Sequence, residues 1–293
     1  MNRAGQDGRN ESTARNVPAL LLELRAEHYS GTVQVSGAPG GAIHMRNGLV
    51  AAVETPGAPT AETALLKSGR IDDEAWLAAR AADREGGRLG AELVSRGFVG
   101  AAELEVICTA AVFDGAFAMA LGTPGGWEVT ERTPTIVTAA GIEPRRLMEE
   151  TSRRVAVLSR LWGPPSELAR VRVRPVPPVG PSSGAVAQAL ADRHQDIIAG
   201  VNGRRTARDI AFALGRGLYP VMLDLVRMEA QGLVQWDDRT AGVGRPSTAP
   251  RTAASSVARK PSGTSAGAGP LPRRTPGAVS PRGAGGDGGK SGE

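Results

Sequence analysis

The first apolar pattern along the chain predicts a helix. Val17–Glu27 carries Leu20, Leu21 and Leu24 at helical spacing, and Pro18 suits a first helical turn. Ser30-Gly31 follows directly and favours a stop. We therefore expect an N-terminal helix whose leucine face packs on whatever the next segments form.

The residues after this helix alternate in the way that strands do. Thr32–Val35 has a period of two and is rich in β-branched residues. Glycines at 37–41 favour a turn, and Ala42–Met45 follows as a second strand. Asn47-Gly48 is a strong signal for a tight hairpin into Leu49–Glu54. The pattern predicts a small three-stranded antiparallel meander.

The next segments contain a helical repeat. Leu65–Trp76 aligns with Leu93–Leu104, so that Gly69 matches Gly97 and a β-branched residue follows each glycine. Each copy predicts a helix that ends at a glycine, a short turn and the start of another helix. The second copy continues as an apolar stripe to Met119. A further strand at 127–131 and a helix from Pro144 to about Trp162 complete this part.

The pattern changes again after Trp162. Residues 163–184 are rich in proline and lack helix signals, which predicts a semi-rigid linker. Residues 185–238 then predict three helices and a terminal strand, a winged-helix-like unit. Thr206 and Asp209 form a capping-box pattern before the second helix, and Pro220 is expected to open the third. The fold class predicted for the chain is α+β with two folded units, 17–162 and 185–238.

The charge of the protein is concentrated at its C-terminal end. The whole chain has a net charge of +5, yet basic residues exceed acidic ones by six within 244–293 alone. The rest is close to neutral, so the high isoelectric point does not describe a basic folded surface. Because 239–293 has few large apolar residues, we predict a disordered tail there, and 1–16 is predicted disordered as well. A loose contact with nucleic acid and a solubilising role both remain open for the tail.

Candidate chemistry is sparse in this sequence. The stretch at 40–54 combines paired glycines with His44, but it lacks a phosphate-loop pattern and enters a strand, so we interpret its glycines as turns. The three histidines, His28, His44 and His194, fall in different elements, so no metal site is expected. Cys108 lies on an apolar helical stripe and is interpreted as a core residue. We predict no catalytic residues, no cofactor and no enzymatic activity.

The single cysteine and the absence of membrane or secretion signals place the protein, by expectation, in the cytoplasm. One cysteine excludes an intramolecular disulfide. A membrane-spanning helix requires a run of about 18 apolar residues, and the sequence contains none. The first residues are too polar for a signal peptide.

The N-terminal pattern resembles a PATAN-type domain, named after the N-terminal region of a cyanobacterial developmental regulator. The resemblance covers about 17–162 and rests on a run of glycine and apolar positions: Ser30, Gly31, Val33, Val35, Gly41, Ile43, Met45, Gly48, Val50 and Ala52. It implies a non-catalytic interaction module, often joined to receiver or DNA-binding domains. The segment 197–236 is similar to winged-helix units found beside such modules in bacterial regulators.

Two functions follow as alternatives, beside a third that the missing phosphate-loop pattern disfavours, an enzyme or nucleotide binder centred on the glycines of 40–54. The first is a transcriptional or signalling regulator that docks a protein partner, or a second copy of itself as a homodimer, through its N-terminal part. In this alternative it binds DNA through the winged-helix-like unit, helped by the basic tail. The candidate phosphate contacts are Arg204, Arg205, Arg208, Arg216 and Arg227, and Arg170, Arg172 and Arg174 of the linker are further candidates. The second is a pure protein adaptor, favoured because the third helix is nearly neutral, which suits DNA poorly.

Overall fold

A computed structural model describes residues 15–83, 88–176 and 194–237. These described residues belong to one compact unit. The predictions for 1–14, 177–193 and 238–293 lie outside the described residues; they include most of the N-terminal segment, the second half of the linker, the start of the winged-helix-like unit and the tail.

The predicted α+β class is confirmed. The described residues of the N-terminal part contain one helix, three strands, four helices, a fourth strand and a long helix. In chain order these are α1 (Val17–Ala26), β1 (Gly31–Gly37), β2 (Gly41–Arg46), β3 (Leu49–Glu54), α2 (Ala61–Lys67), α3 (Asp73–Ala82), α4 (Leu89–Ser95), α5 (Ala101–Ala120), β4 (Pro124–Thr130) and α6 (Pro144–Leu161).

The four strands form one antiparallel sheet in the order β3-β2-β1-β4. The predicted hairpin at Asn47-Gly48 is present, with φ of 52° and 76° at its two residues, as in the tight turns that match strand twist. Strand β4 pairs with β1 rather than extending the meander at β3. The meander therefore gains its fourth strand on the side of β1.

The helical repeat is also confirmed in its local geometry. Gly69 and Gly97 follow α2 and α4 with φ of 68° and 74°, a conformation that glycine adopts without steric cost. The equivalent residues Leu65 and Leu93 are each 0% exposed. The two copies thus place matching leucines in one shared core.

Helix α5 runs through three hydrophobic cores in succession. Leu104 and Cys108 belong to the core of the helical repeat. Val112 and Phe113 pack into the core between the sheet, α1 and α6. Phe117 and Ala118, in the last turns, belong to a third core that is otherwise built mainly by the C-terminal residues. A helix that is apolar on most sides is buried on most sides, and α5 is the central element of the molecule.

The C-terminal part begins earlier than the sequence predicts. The first half of the expected linker contains a short helix, α7 (Pro165–Leu168), and a strand, β5 (Val173–Pro175). The remaining described elements are α8 (Gln195–Gly200), α9 (Ala207–Leu214), α10 (Leu218–Ala230) and β6 (Val234–Trp236). The predicted terminal strand β6 pairs with β5. Leu168 and Val173 are 0% exposed in the third core, so this stretch is part of the packed structure.

Candidate functional site

The five candidate arginines fall into two groups with different surroundings. Arg204, Arg205 and Arg208 lie on the turn before α9 and in its first turn, and all three are exposed. Arg216 and Arg227 lie beside Asp224 of α10, at 3.2 and 3.5 Å from its carboxylate oxygens. Their charges are therefore partly offset by Asp224, whereas the first group has no acidic partner within 4 Å among the residues described.

The residues just before β5 bring two of the linker arginines close to the first group. The Val173 N–H donates to the Arg205 carbonyl, and the Gly203 N–H donates to the Val173 carbonyl, at 3.1 and 2.8 Å. Arg172 also forms an isolated bridge with Thr206. We name this surface the arginine edge, and its members are all exposed: Arg170, Arg172, Arg204, Arg205 and Arg208. The third linker arginine, Arg174, pairs instead with Asp237 at 3.1 Å.

The third helix of the C-terminal part is mostly buried. Of Leu218–Ala230, only Arg227 and Ala230 are exposed. In helix-turn-helix proteins, the N-terminal residues of this helix contact base edges in the major groove. Here Leu218 and Tyr219, at that end of α10, are 2% and 9% exposed.

The N-terminal end of α10 is held by a carboxylate from α5. The Asp114 side chain accepts a hydrogen bond from the Tyr219 N–H at 2.8 Å and another, short one from the Leu218 N–H. These two N–H groups have no partner inside their own helix, so Asp114 acts as its cap. Burial raises the pKa of Asp114, while the two N–H donors and the nearby Arg154 act in the opposite direction.

Arg154 of α6 completes this junction. Its guanidinium carbon lies 4.9 Å from the centre of the Tyr219 ring, and Nη1 is 3.8 Å from Oδ1 of Asp114. Two edge-to-face aromatic pairs, Phe117–Tyr219 and Trp162–Trp236, join the same two parts at centroid distances of 5.3 and 5.6 Å. The junction thus combines aromatic packing, an ion pair and buried hydrogen bonds. Together these contacts hold the C-terminal helices on α5 and α6.

His44 is buried in a polar network on the face of the sheet away from the second core. Its Nδ1 lies 3.3 Å from the hydroxyls of Thr32 and Thr133, and its Nε2 lies 3.3 Å from Glu54. Glu54 also accepts a hydrogen bond from the Thr135 hydroxyl, and its hydrogen bond with His44 is the main cause that lowers the pKa of Glu54. The order hydroxyl, imidazole, carboxylate is that of an acid–base relay. However, the Thr32 and Thr133 hydroxyls are also 3.2 Å apart, so the group is internally paired and fastens residues 133–135 to the sheet.

The other chemical groups singled out in the sequence lie apart from one another. Cys108 is 3% exposed, and burial raises the pKa of its thiol to about 12, as expected of a core residue and not of a nucleophile. Within 15–83, 88–176 and 194–237, no three His, Cys, Asp or Glu side chains gather in a metal-binding group. No helix in these ranges is long and apolar enough to cross a membrane.

Comparison with known proteins adds no assignment. Neither protein-family models nor curated proteins nor solved structures match this chain. The resemblance to PATAN-type domains therefore stays a prediction.

Proposed function

We propose that this protein is a non-enzymatic regulatory adaptor. Its N-terminal PATAN-like part docks a protein partner or a second copy of the chain, and its winged-helix-like part is a fixed component of the same scaffold. The observation that carries the proposal is the cap that Asp114 of α5 places on the N-terminal end of α10.

This cap argues against α10 as a reader of DNA. A recognition helix must present its first turns to the major groove, and those turns are covered here by α5 and by Arg154 of α6. Arg227 and Ala230 are the exposed residues of this helix, and the one charged side chain of the two, Arg227, lies 3.5 Å from Asp224. Reading DNA with α10 would require separating the two parts of the third core and leaving the Asp114 carboxylate without its donors, which costs several kcal/mol.

A mobility-shift titration tests this part of the proposal. The full chain and the Arg227→Ala variant are titrated against short duplexes of varied sequence at low and high salt. The adaptor proposal expects no sequence preference that depends on Arg227. A sequence-selective shift in the native chain that Arg227→Ala removes would show that α10 reads bases and would overturn it.

The positive test is the capture of a partner at the N-terminal part. A photo-crosslinking residue is placed at Leu77 or Val106, which are 64% and 69% exposed on α3 and α5, and at Arg227 as the comparison position. Adducts are identified by mass spectrometry and the pair is rebuilt from purified proteins. The proposal expects an adduct at the first two positions and a reconstituted complex; adducts confined to Arg227 would contradict it.

The arginine edge favours a second candidate function, contact with nucleic-acid phosphates. Arginine guanidinium groups bind phosphates bidentately, and each phosphate contact adds about 0.9 to the slope of log K against log salt for duplex DNA. Replacing Arg172, Arg204 and Arg205 by Gln is expected to lower that slope by about 2 to 3 and to weaken binding equally for all sequences. If deletion of 244–293 alone abolishes all binding, the tail is the site and this candidate fails.

A further inference from the structure

A cleft of about 510 Å³ opens where the turn between β1 and β2 meets the C-terminal part. Its walls are formed by that glycine-rich turn, the loop after β3, the end of α5, the α7 region and the start of α9. The volume lies within the range of small-molecule sites, about 300 to 1,000 Å³. The cleft is thus large enough for a metabolite-sized ligand and belongs to neither part alone.

Two cations from separate elements line this cleft. Arg170 follows α7 and Arg208 lies in the first turn of α9, and both are exposed members of the arginine edge. None of the described lining residues is acidic. Arg208 is followed by Asp209, whose carboxylate is occupied by the Thr206 N–H and hydroxyl in the capping box, at 2.8 and 2.9 Å. The positive charge at the mouth of the cleft is therefore left without a protein counter-ion among these residues.

The less exposed lining residues, which we call the floor of the cleft, differ in chemistry from the exposed arginines at its mouth. Ala118, Leu121, Leu218 and Pro39 supply apolar surface, and Ser166 supplies a hydroxyl. A ligand that fits both regions carries a multiply charged oxyanion at one end and an apolar or planar body at the other. Two guanidinium groups match the several acceptor oxygens of a phosphate better than one carboxylate, because each guanidinium donates paired, coplanar N–H bonds.

We propose that this cleft binds a small organic phosphate, with the phosphate held by Arg170 and Arg208 and the body of the ligand on the floor formed by Leu121 and Leu218. The glycines at 37 and 40 contribute backbone to the wall in addition to forming the hairpin turn. Because the walls come from both parts of the molecule, the ligand stabilises their junction and raises the melting temperature of the whole chain.

Titration calorimetry and thermal unfolding of the full chain test the proposal with four probes: ATP, inorganic pyrophosphate, adenosine and a short DNA duplex. We expect ATP or pyrophosphate to bind at millimolar concentration or below and to raise the melting temperature, and adenosine alone to do neither. The double variant Arg170→Gln/Arg208→Gln weakens this binding at least about tenfold. Arg145→Gln, an exposed arginine at the start of α6, leaves it unchanged.

Two controls are built into this experiment, one for the basic tail and one for misfolding of the double variant. All variants carry the same basic tail, so its contribution to phosphate binding is common to them. Ser166→Phe fills the cleft without changing charge and is expected to block binding as well, which covers the case in which the double variant folds poorly. The proposal is overturned if neither phosphate binds at millimolar concentration, if the double variant or Ser166→Phe binds as tightly as the native chain, or if only the duplex binds.

Discussion

Asp114 places a carboxylate inside the molecule, where it is 2% exposed, and its two oxygens accept the first two N–H groups of α10. Those N–H groups belong to residues more than 100 positions away along the chain. A single side chain therefore caps the N-terminal end of α10 and joins the two parts of the protein.

Replacing Asp114 by Ala is expected to lower the free energy of unfolding by about 3 kcal/mol, because two buried donors lose their acceptor. Asp114→Asn keeps one acceptor oxygen and should lose less. Urea unfolding followed by circular dichroism measures both. Glu103→Ala is the control, since its ion pair with Arg70 is on the surface and such pairs contribute at most about 1 kcal/mol. Equal losses for Asp114→Ala and the control would contradict the role of Asp114 as a cap.

The reactivity of Cys108 measures how readily the core of the helical repeat opens. With a pKa of about 12, the Cys108 thiol is almost entirely protonated at neutral pH, and only the thiolate attacks the disulfide of a thiol reagent. We expect Ellman's reagent to leave the folded protein unmodified over minutes and to react promptly in denaturing urea. The chain has one cysteine, so the absorbance signal reports this residue alone; prompt reaction in native buffer would show that the core of the helical repeat opens readily.

Glu150 makes the stability of the protein depend on pH. Hydrogen bonds from Arg153, and then from Arg154, lower the pKa of Glu150 from 4.5 to about 2. A carboxylate whose pKa is lower in the folded state stabilises fully above pH 4.5, and this contribution is lost as pH falls toward 2. The difference in unfolding free energy between the native chain and Glu150→Gln should therefore shrink from pH 6 to pH 2. A constant difference across this range would contradict a stabilising role for ionised Glu150.

At the scale of elements, the two copies of the helical repeat supply matching side chains to the core of the repeat. Helices α2 and α4 end at equivalent glycines and present Leu65 and Leu93, each fully buried, to the same cluster. The two helices are thus similar in how they pack as well as in sequence.

Truncation of either leucine to Ala should cost about 2 to 5 kcal/mol, through lost transfer free energy and the cavity that remains. Because the two positions are equivalent, we expect losses of similar size. Leu77→Ala provides the matched control, since Leu77 is 64% exposed and surface substitutions usually change stability by about 0.5 kcal/mol or less. Thermal or urea unfolding ranks the three, and a loss at Leu77 as large as at Leu65 would count against this view of the core.

Elements with complete local signals could be predicted from the sequence. The hairpin at Asn47-Gly48 and the capping box of Thr206 and Asp209 each need only a few neighbouring residues, and each is present. Strand β5 was missed because prolines dominate its segment and its partner, β6, lies at the far end of the C-terminal part. The alternation of Val171 and Val173 with arginines was the one local sign of it.

The candidate site depended on the same kind of distant contact. The arginines of the turn before α9 could be selected from charge alone, but their separation from Arg216 and Arg227 depends on Asp224. The burial of α10 depends on Asp114, which in the sequence is only one acidic residue within an apolar helix. Asp224 and Arg227 lie three residues apart on one helix, so their pairing could be predicted from the sequence. The contact of Asp114 with Leu218 spans 104 positions and leaves no pattern in neighbouring positions.

At the scale of the whole molecule, the C-terminal part shares its core with the N-terminal part. Phe117, Ala118 and Leu158 belong to the same buried cluster as Leu218, Met222 and Leu225. Two parts that bury such side chains against each other fold as one unit, in contrast to domains joined by a free linker.

We therefore expect residues 163–238, made as a separate fragment, not to fold. Without α5 and α6 the fragment exposes its apolar core and leaves the first N–H groups of α10 without their acceptor. The amide spectrum in two-dimensional NMR should be poorly dispersed, whereas a chain ending at 243 should give the dispersed spectrum of the full protein. A dispersed spectrum from the fragment would show that the C-terminal part is an independent domain.

The pairing of β1 with β4 also bears on how the protein is made. Ser36 and Gly126, which hydrogen-bond across this pair, are 90 positions apart. At elongation rates of about 5 to 20 residues per second, a ribosome needs about 5 to 20 s to synthesise the residues between them. During that interval the nascent chain can form β1, β2 and β3, but one edge of β1 has no strand to pair with. Open strand edges can pair with other chains, so we expect this interval to be one in which the nascent chain is exposed to wrong association.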